Sequence, residues 1–207
     1  LPVEPTGSIT ETPYHADVTD TGDKHPVTRG LPGAESEPPQ WGRWFRVIDV
    51  GDPDGDTVMS GPDEKPLLVL NRVGDGRVAL LLSDHAWLWA RGYEGGGPHV
   101  DLLRRLAHWL MQEPDLEEEA LRASARAGEL IVERQTMGEE TEPVTVISPS
   151  GESETVTLQA AGPGLWRAVL PGEEIGLYRV EQGDRRAFAH VGATNPREFV
   201  DARSTEE

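Results

Sequence analysis

Residues 76–116, GRVALLLSDHAWLWARGYEGGGPHVDLLRRLAHWLMQEPDL, constrain the fold more than any other part of the chain. In order they read as an apolar strand, a Ser83-Asp84-His85 turn, an aromatic loop, a glycine run and an amphipathic helix. That order is the last βα unit of an open α/β sheet, whose loops at the strands' C-terminal ends are where such folds bind ligands. An earlier apolar run, 67–70, is separated from 78–82 by Asp75-Gly76, which predicts a β-hairpin. Unbroken hydrophobicity in both runs predicts strands covered on both faces. After Pro98, Leu102, Leu103, Leu106 and Leu110 share one helix face. Asp101, Arg104, Arg105, His108 and Gln112 share the other. Glu113-Pro114 should end that helix, because a residue before proline is pushed out of the α region.

Upstream, residues 1–40 are rich in Pro, Thr, Gly and Asp and predict an extended, loop-rich segment, with 25–33 as an ordered loop. From Trp41 the alternation around Phe45, Val47 and Asp49 predicts a strand, so 41–118 reads as the α/β portion. Near 116–120 the hydrophobic period changes from 3.6 to 2. Seven short strand candidates then follow, at 121–126, 129–133, 144–147, 155–158, 165–170, 176–180 and 187–191. With turn residues at about 8–12-residue spacing, they predict a β-sandwich over 119–194. Residues 195–207 read as an exposed tail. The fold class expected is α/β plus all-β, a partial open α/β sheet followed by a sandwich.

Charge excludes several partners. The chain carries 37 acidic and 19 basic residues, a net −18, and a field of that sign repels nucleic acid and anionic lipid. Only Lys24 and Lys65 are lysines. With no cysteine there is no disulfide, thiolate metal site or cysteine nucleophile in this chain. No apolar run approaches the roughly 20 residues a membrane helix requires. The first residue is Leu1, so a processed product or a piece of a longer chain is expected.

Ser83, Asp84 and His85 are the residue types of a hydrolase triad, yet consecutive side chains cannot place serine and acid on opposite edges of one imidazole. They are weak catalytic candidates, and capping of the loop backbone is the simpler role. Trp87, Trp89, Arg91 and Tyr93 are the binding candidates; packing of both indoles on the sheet edge, with Arg91 over the rings, is the plainer alternative. Alternation along an extended segment would put both indoles in one environment. Gly95-Gly96-Gly97 lacks the Lys and Ser/Thr of a phosphate loop. The six histidines show neither helical i, i+4 spacing nor HExxH, and 52–56 lacks calcium-loop spacing, so neither metal nor cofactor is expected.

On these residues the chain resembles a family of large bacterial membrane proteins. Its members carry a von Willebrand A domain and a class I glutamine-amidotransferase-like domain between hydrophobic anchors. The resemblance rests on Ser83-Asp84-His85-Ala86-Trp87-Leu88-Trp89, Gly95-Gly96-Gly97 and His108-Trp109-Leu110, on His25-Pro26-Val27-Thr28 with Gly30-Leu31, and on Asn195-Pro196-Arg197-Glu198-Phe199. It implies the later part of a flavodoxin-like, amidotransferase-like sheet followed by an immunoglobulin-like sandwich. In active class I amidotransferases a cysteine attacks glutamine with help from a His-x-Glu pair. Here His85 is displaced by two places from that histidine, and the paired Glu is missing. The function expected is therefore a non-catalytic interaction or scaffold portion of a membrane-anchored protein, on the extracytoplasmic side. Its partners would be other proteins or other domains of the parent chain. The alternatives are a fragment of a hydrolase whose nucleophile lies outside this chain, and a ligand-binding module using the aromatic loop 85–93.

Overall fold

The computed structural model describes residues 2–192, and the chain divides into two compact units between Glu118 and Glu119. The tail expected at 195–207, with its Asn195–Phe199 motif, lies outside the described residues.

The first unit starts with β1 (Pro5–Tyr14), β2 (Asp17–Val18) and the short helix α1 (Asp20–Lys24). β1 departs from the loop-rich expectation for 1–40: it is a ten-residue strand antiparallel to β3 (Trp44–Val50), with Ile9 opposite Ile48. Its residues are mostly exposed, and prolines sit at its first and ninth positions, as an edge strand tolerates. The loop after α1 is not a surface loop either. His25, Val27, Thr28 and Leu31 have no solvent exposure, and the Thr28 hydroxyl donates to the Gly22 carbonyl at 2.7 Å.

Next come β4 (Asp56–Ser60), β5 (Pro66–Val73) and β6 (Gly76–Leu81), which with β2 form an antiparallel sheet of order β2-β4-β5-β6. β5 and β6 are the expected hairpin, but the turn is Gly74-Asp75. Gly74 takes φ 58°, the glycine-first arrangement of a II′ turn, while Gly76 already pairs with Val73. Leu67, Leu68, Val69 and Leu70 are buried on both faces as expected, but β6 is only half-buried because it lies at the sheet's edge. Strand, turn and helix follow in the order read from the sequence. Every strand pairing in this unit is nevertheless antiparallel, and no parallel βαβ crossover occurs among the described residues.

Two helices complete the unit, α2 (Ala86–Ala90) and α3 (His99–Leu110). α3 buries Leu102 and Trp109 with Leu106 half-covered, whereas Leu103 and Leu110 are 40% exposed. The inward stripe is thus 102–106–109 rather than the four-leucine face expected, because the Trp109 indole takes the core position. The helix stops three residues before Glu113: Gln112 turns to φ 61°, and its side-chain amide donates to the Asp75 carbonyl at 2.6 Å.

The second unit holds β7 (Ala120–Arg126), β8 (Glu129–Gln135), β9 (Val144–Ile147), β10 (Ser153–Val156), β11 (Gln159–Gly162), β12 (Leu165–Pro171), β13 (Gly176–Gln182) and β14 (Arg185–Val191). They make two antiparallel four-stranded sheets, β10-β9-β13-β14 and β11-β12-β8-β7, around one core that includes Leu130, Val132, Val144, Tyr178 and Val180. The candidate at 155–158 is not one strand. The chain passes there from the first sheet to the second, so β10 ends at Val156 and β11 begins at Gln159, giving eight strands rather than seven. Alternation is clean where one face is wet: in β14 Ala187, Ala189 and Val191 point inward and Phe188 and His190 outward.

Candidate functional site

The Ser83-Asp84-His85 turn leaves β6 and enters α2, and it lies against β3 and the end of β1. Ser83 is buried, and its hydroxyl donates to the Arg46 carbonyl at 2.6 Å while accepting the His85 backbone N–H at 3.2 Å. Tyr14 donates to the same Arg46 carbonyl at 3.1 Å. Burial pushes the Tyr14 phenol up to about 12; the Ser83 hydroxyl opposes that shift and the Asp84 charge adds to it. Tyr14 is therefore a neutral donor at any physiological pH.

His85 Nδ1 accepts the Phe45 backbone N–H at 3.0 Å, which leaves the ring proton on Nε2. Nε2 stands 3.9 Å from an Asp84 oxygen, beyond hydrogen-bond reach. Asp84 is largely exposed and forms an ion pair with Arg46 at 2.6 Å, whose hydrogen bond lowers the carboxyl pKa. The three residue types of a triad are thus together without its connectivity. The serine proton goes to a backbone carbonyl, the imidazole Nδ1 is held by the Phe45 backbone amide, and the acid answers to an arginine. Such an arrangement fixes a turn and does not activate a hydroxyl.

Beside the turn a shallow groove of about 370 Å³ is lined by Glu11, Thr12, Pro13, Phe45, Arg46 and His85. Phe45 makes edge contacts with both His85 and Tyr93, at 6.1 and 5.8 Å between ring centroids. Sequence reasoning found His85 and Tyr93 but missed the β1 residues and Phe45. Pairing of β1 with β3 brings them here across more than thirty intervening residues, and no local motif marks that pairing.

Trp87 and Trp89 do not share an environment: Trp87 is 55% exposed and Trp89 is 3% exposed. The segment is helical, so residues two apart point about 200° apart. Alternation along a strand does not apply. The Trp89 ring packs at 4.6 Å from Trp44 and 5.2 Å from Trp41, and its Nε1 donates to the Gly42 carbonyl at 2.7 Å. Arg91 is exposed and covers neither indole; among the described residues the arginine over a tryptophan is Arg77, 5.1 Å above Trp109. The last glycine of the run has a packing cause: a Cβ at Gly97 would lie 2.4 Å from the Trp89 ring. Exposed Glu94 in the same loop forms a two-pronged pair with Arg43. That hydrogen bond pulls its carboxyl down to about 2.

A second polar cluster fixes the end of this unit. His25 Nε2 donates to the Glu118 carboxylate at 3.3 Å, Trp109 Nε1 donates to it at 2.7 Å, and Arg72 completes the set. Burial opposes ionisation of Glu118, but these hydrogen bonds outweigh it and hold the carboxyl below its ordinary range. The histidine of the 25–28 motif is thereby a structural donor. Among the described residues no group of three or more His, Cys, Asp or Glu side chains is arranged to hold a metal ion, and no helix is long and apolar enough to cross a membrane.

No protein-family model matches the chain, and no curated protein matches it.

Proposed function

We propose that the chain is a non-catalytic interaction or scaffold portion of a membrane-anchored bacterial protein. In this reading the first unit belongs to an amidotransferase-like domain and the second is an immunoglobulin-like sandwich, carried on the extracytoplasmic side. The observation that carries the non-catalytic part is the bonding of Ser83, Asp84 and His85, each engaged with β3 and none with one another as a relay requires. The membrane and amidotransferase parts rest on the resemblance of the motifs alone.

The test is turnover. Purified chain incubated with glutamine and with p-nitrophenyl acetate should release product no faster than buffer, and His85→Ala should change nothing. Genuine turnover that disappears in His85→Ala would overturn the reading. For the parent, protease accessibility of this segment in spheroplasts should place it outside the cytoplasm.

One observation favours a second reading, a ligand-binding loop: Trp87 and Tyr93 are both exposed on the loop that follows His85, which lines the groove. An aromatic ligand on this loop would quench Trp87 emission, and Trp87→Phe would abolish the change.

A further inference from the structure

Away from the Ser83 turn, the two sheets of the second unit part at one end around a pocket of about 240 Å³. Its apolar lining is Leu130 from β8, Val146 from β9, Leu170 from β12 and the Tyr178 ring from β13, and Ser148 and Ser153 line it as well. Its mouth carries Glu152, Glu154, Glu173 and Glu174, and no lysine or arginine lines it. Glu174 is fixed, accepting the Ser150 N–H at 2.9 Å and its hydroxyl at 2.8 Å, while its own N–H donates to the Tyr178 hydroxyl. Among the described residues Glu152, Glu154 and Glu173 form no ion pair. Glu154 is the most telling, because on β10 it shares the core-facing side with buried Val156, so its carboxylate is set at the pocket without a cation.

The same strand supplies the second element. β10 is the edge of its sheet, paired on one side only, with β9. Its free edge offers backbone N–H and C=O groups to an added strand.

We infer that this edge and pocket together receive an extended, basic segment of a partner protein. The segment adds as a strand beside β10 and inserts one Arg or Lys side chain between the sheets. The aliphatic stem lies against Leu130, Val146 and Leu170, and the cation reaches the Glu154 and Glu173 carboxylates. Volume and charge select this occupant. A pocket of about 240 Å³ is below the roughly 300–1,000 Å³ typical for whole small-molecule ligands, but it accommodates one long side chain. A second copy is disfavoured, since a chain of net charge −18 would bring more acid to an acidic mouth. The inference rests on the reading of the chain as an interaction module. Turnover assays test that reading, and peptide binding tests this one, so the two can fail separately.

The experiment uses the full chain and a fluorescein-labelled peptide of alternating threonine and valine with one central arginine. Anisotropy should report binding that weakens as salt is raised. Amide shifts should be confined to 150–156 and 170–178. Replacing the peptide arginine by glutamine should weaken binding roughly tenfold, and so should the double variant Glu154→Gln, Glu173→Gln. Both glutamates are exposed at the mouth, so the double variant should melt with the parent, and a melt confirms that its fold is retained. Equal affinity of the arginine and glutamine peptides would overturn the inference, as would shifts spread over both units or unchanged binding by the folded double variant. Butylguanidinium binding as tightly as the peptide would also overturn it, by making the site one for a small cation rather than a strand.

Discussion

At the scale of single residues, Trp87 and Trp89 show what a two-residue spacing does and does not carry. Their identity as an aromatic pair was legible, but their separate fates depended on five residues being helical, which no periodicity over so short a run reveals. Trp89 sits among Trp41 and Trp44 with its N–H satisfied, so Trp89→Ala removes a large ring and a hydrogen bond from a closed core. The expected cost is about 3–5 kcal/mol. Trp87→Ala, at an exposed position, should stay within about 0.5 kcal/mol of the parent. Urea titrations of the two variants check this, and comparable losses in both would contradict the burial difference. Ser83 belongs to the same lesson. Its adjacency to Asp84 and His85 already excluded a triad on geometric grounds, and the structure supplies what the sequence lacked, namely the Arg46 carbonyl as its true partner.

At the scale of elements, strongly apolar segments were legible and polar ones were not. β5 and the existence of the hairpin were readable because continuous apolar runs flank a turn-forming stretch, but the turn itself falls on Gly74-Asp75, one residue before the Asp75-Gly76 pair that signalled it. β1 was not readable, since its outward face is Thr, Ser and Glu and its one large aliphatic residue is Ile9. Its attachment is polar as well: Ser8 and Thr10 donate to the Asp49 carboxylate at 2.9 and 2.8 Å, and Lys65 reaches it at 2.7 Å. Hydrogen bonds from Lys65, Thr10 and Ser8 pull the Asp49 carboxyl from 3.8 down to about 2. A depressed folded-state pKa stabilises the fold above the unfolded value, and that contribution is lost as pH falls through the folded one. The melting temperature should therefore drop as pH falls from about 4 to about 2, and Asp49→Asn should make the drop shallower. An unchanged slope would remove Asp49 from the account. The strap after α3 is polar too. Arg77, whose side chain is 2% exposed, donates to the Trp109 carbonyl at 2.6 Å and to Glu117 while covering the Trp109 ring. Arg77→Ala breaks a pair with one partner buried and uncovers the indole, so a loss of about 3 kcal/mol is expected in denaturant melts. Arg77→Lys should recover only part of it, because an ammonium does not reproduce the planar fork.

At the scale of the whole molecule, the switch of hydrophobic period from 3.6 to 2 reflects two separate cores. One gathers Trp41, Trp44, Trp89, Trp109 and the β5 leucines. The other gathers the inward residues of the second unit's two sheets. What the sequence did not disclose is the antiparallel order of the first unit, because strand pairing over long separations leaves no local signature and β1 contributes so little apolar surface. The second core is complete in itself: Leu130, Val132, Val144 and Val180 have no exposed surface, and the residues packed around them all lie within the same unit, in its two sheets or, for Leu158, in the connection between them. Its ladders are likewise internal, with β7-β8-β12-β11 and β14-β13-β9-β10 paired only among themselves. Residues 119–192 expressed alone should therefore fold, without any contribution from the first unit's core. Calorimetry should show one cooperative transition with an enthalpy on the order of 50 kcal/mol, the value for a domain of this size at about 0.7 kcal/mol per residue. Amide protons of β8 and β13, inner strands that carry Leu130, Val132 and Val180 with no exposed surface, should exchange last. A broad, non-cooperative melt, or β8 amides exchanging as fast as those of the exposed edge β11, would mean that the sandwich depends on the rest of the chain for its stability.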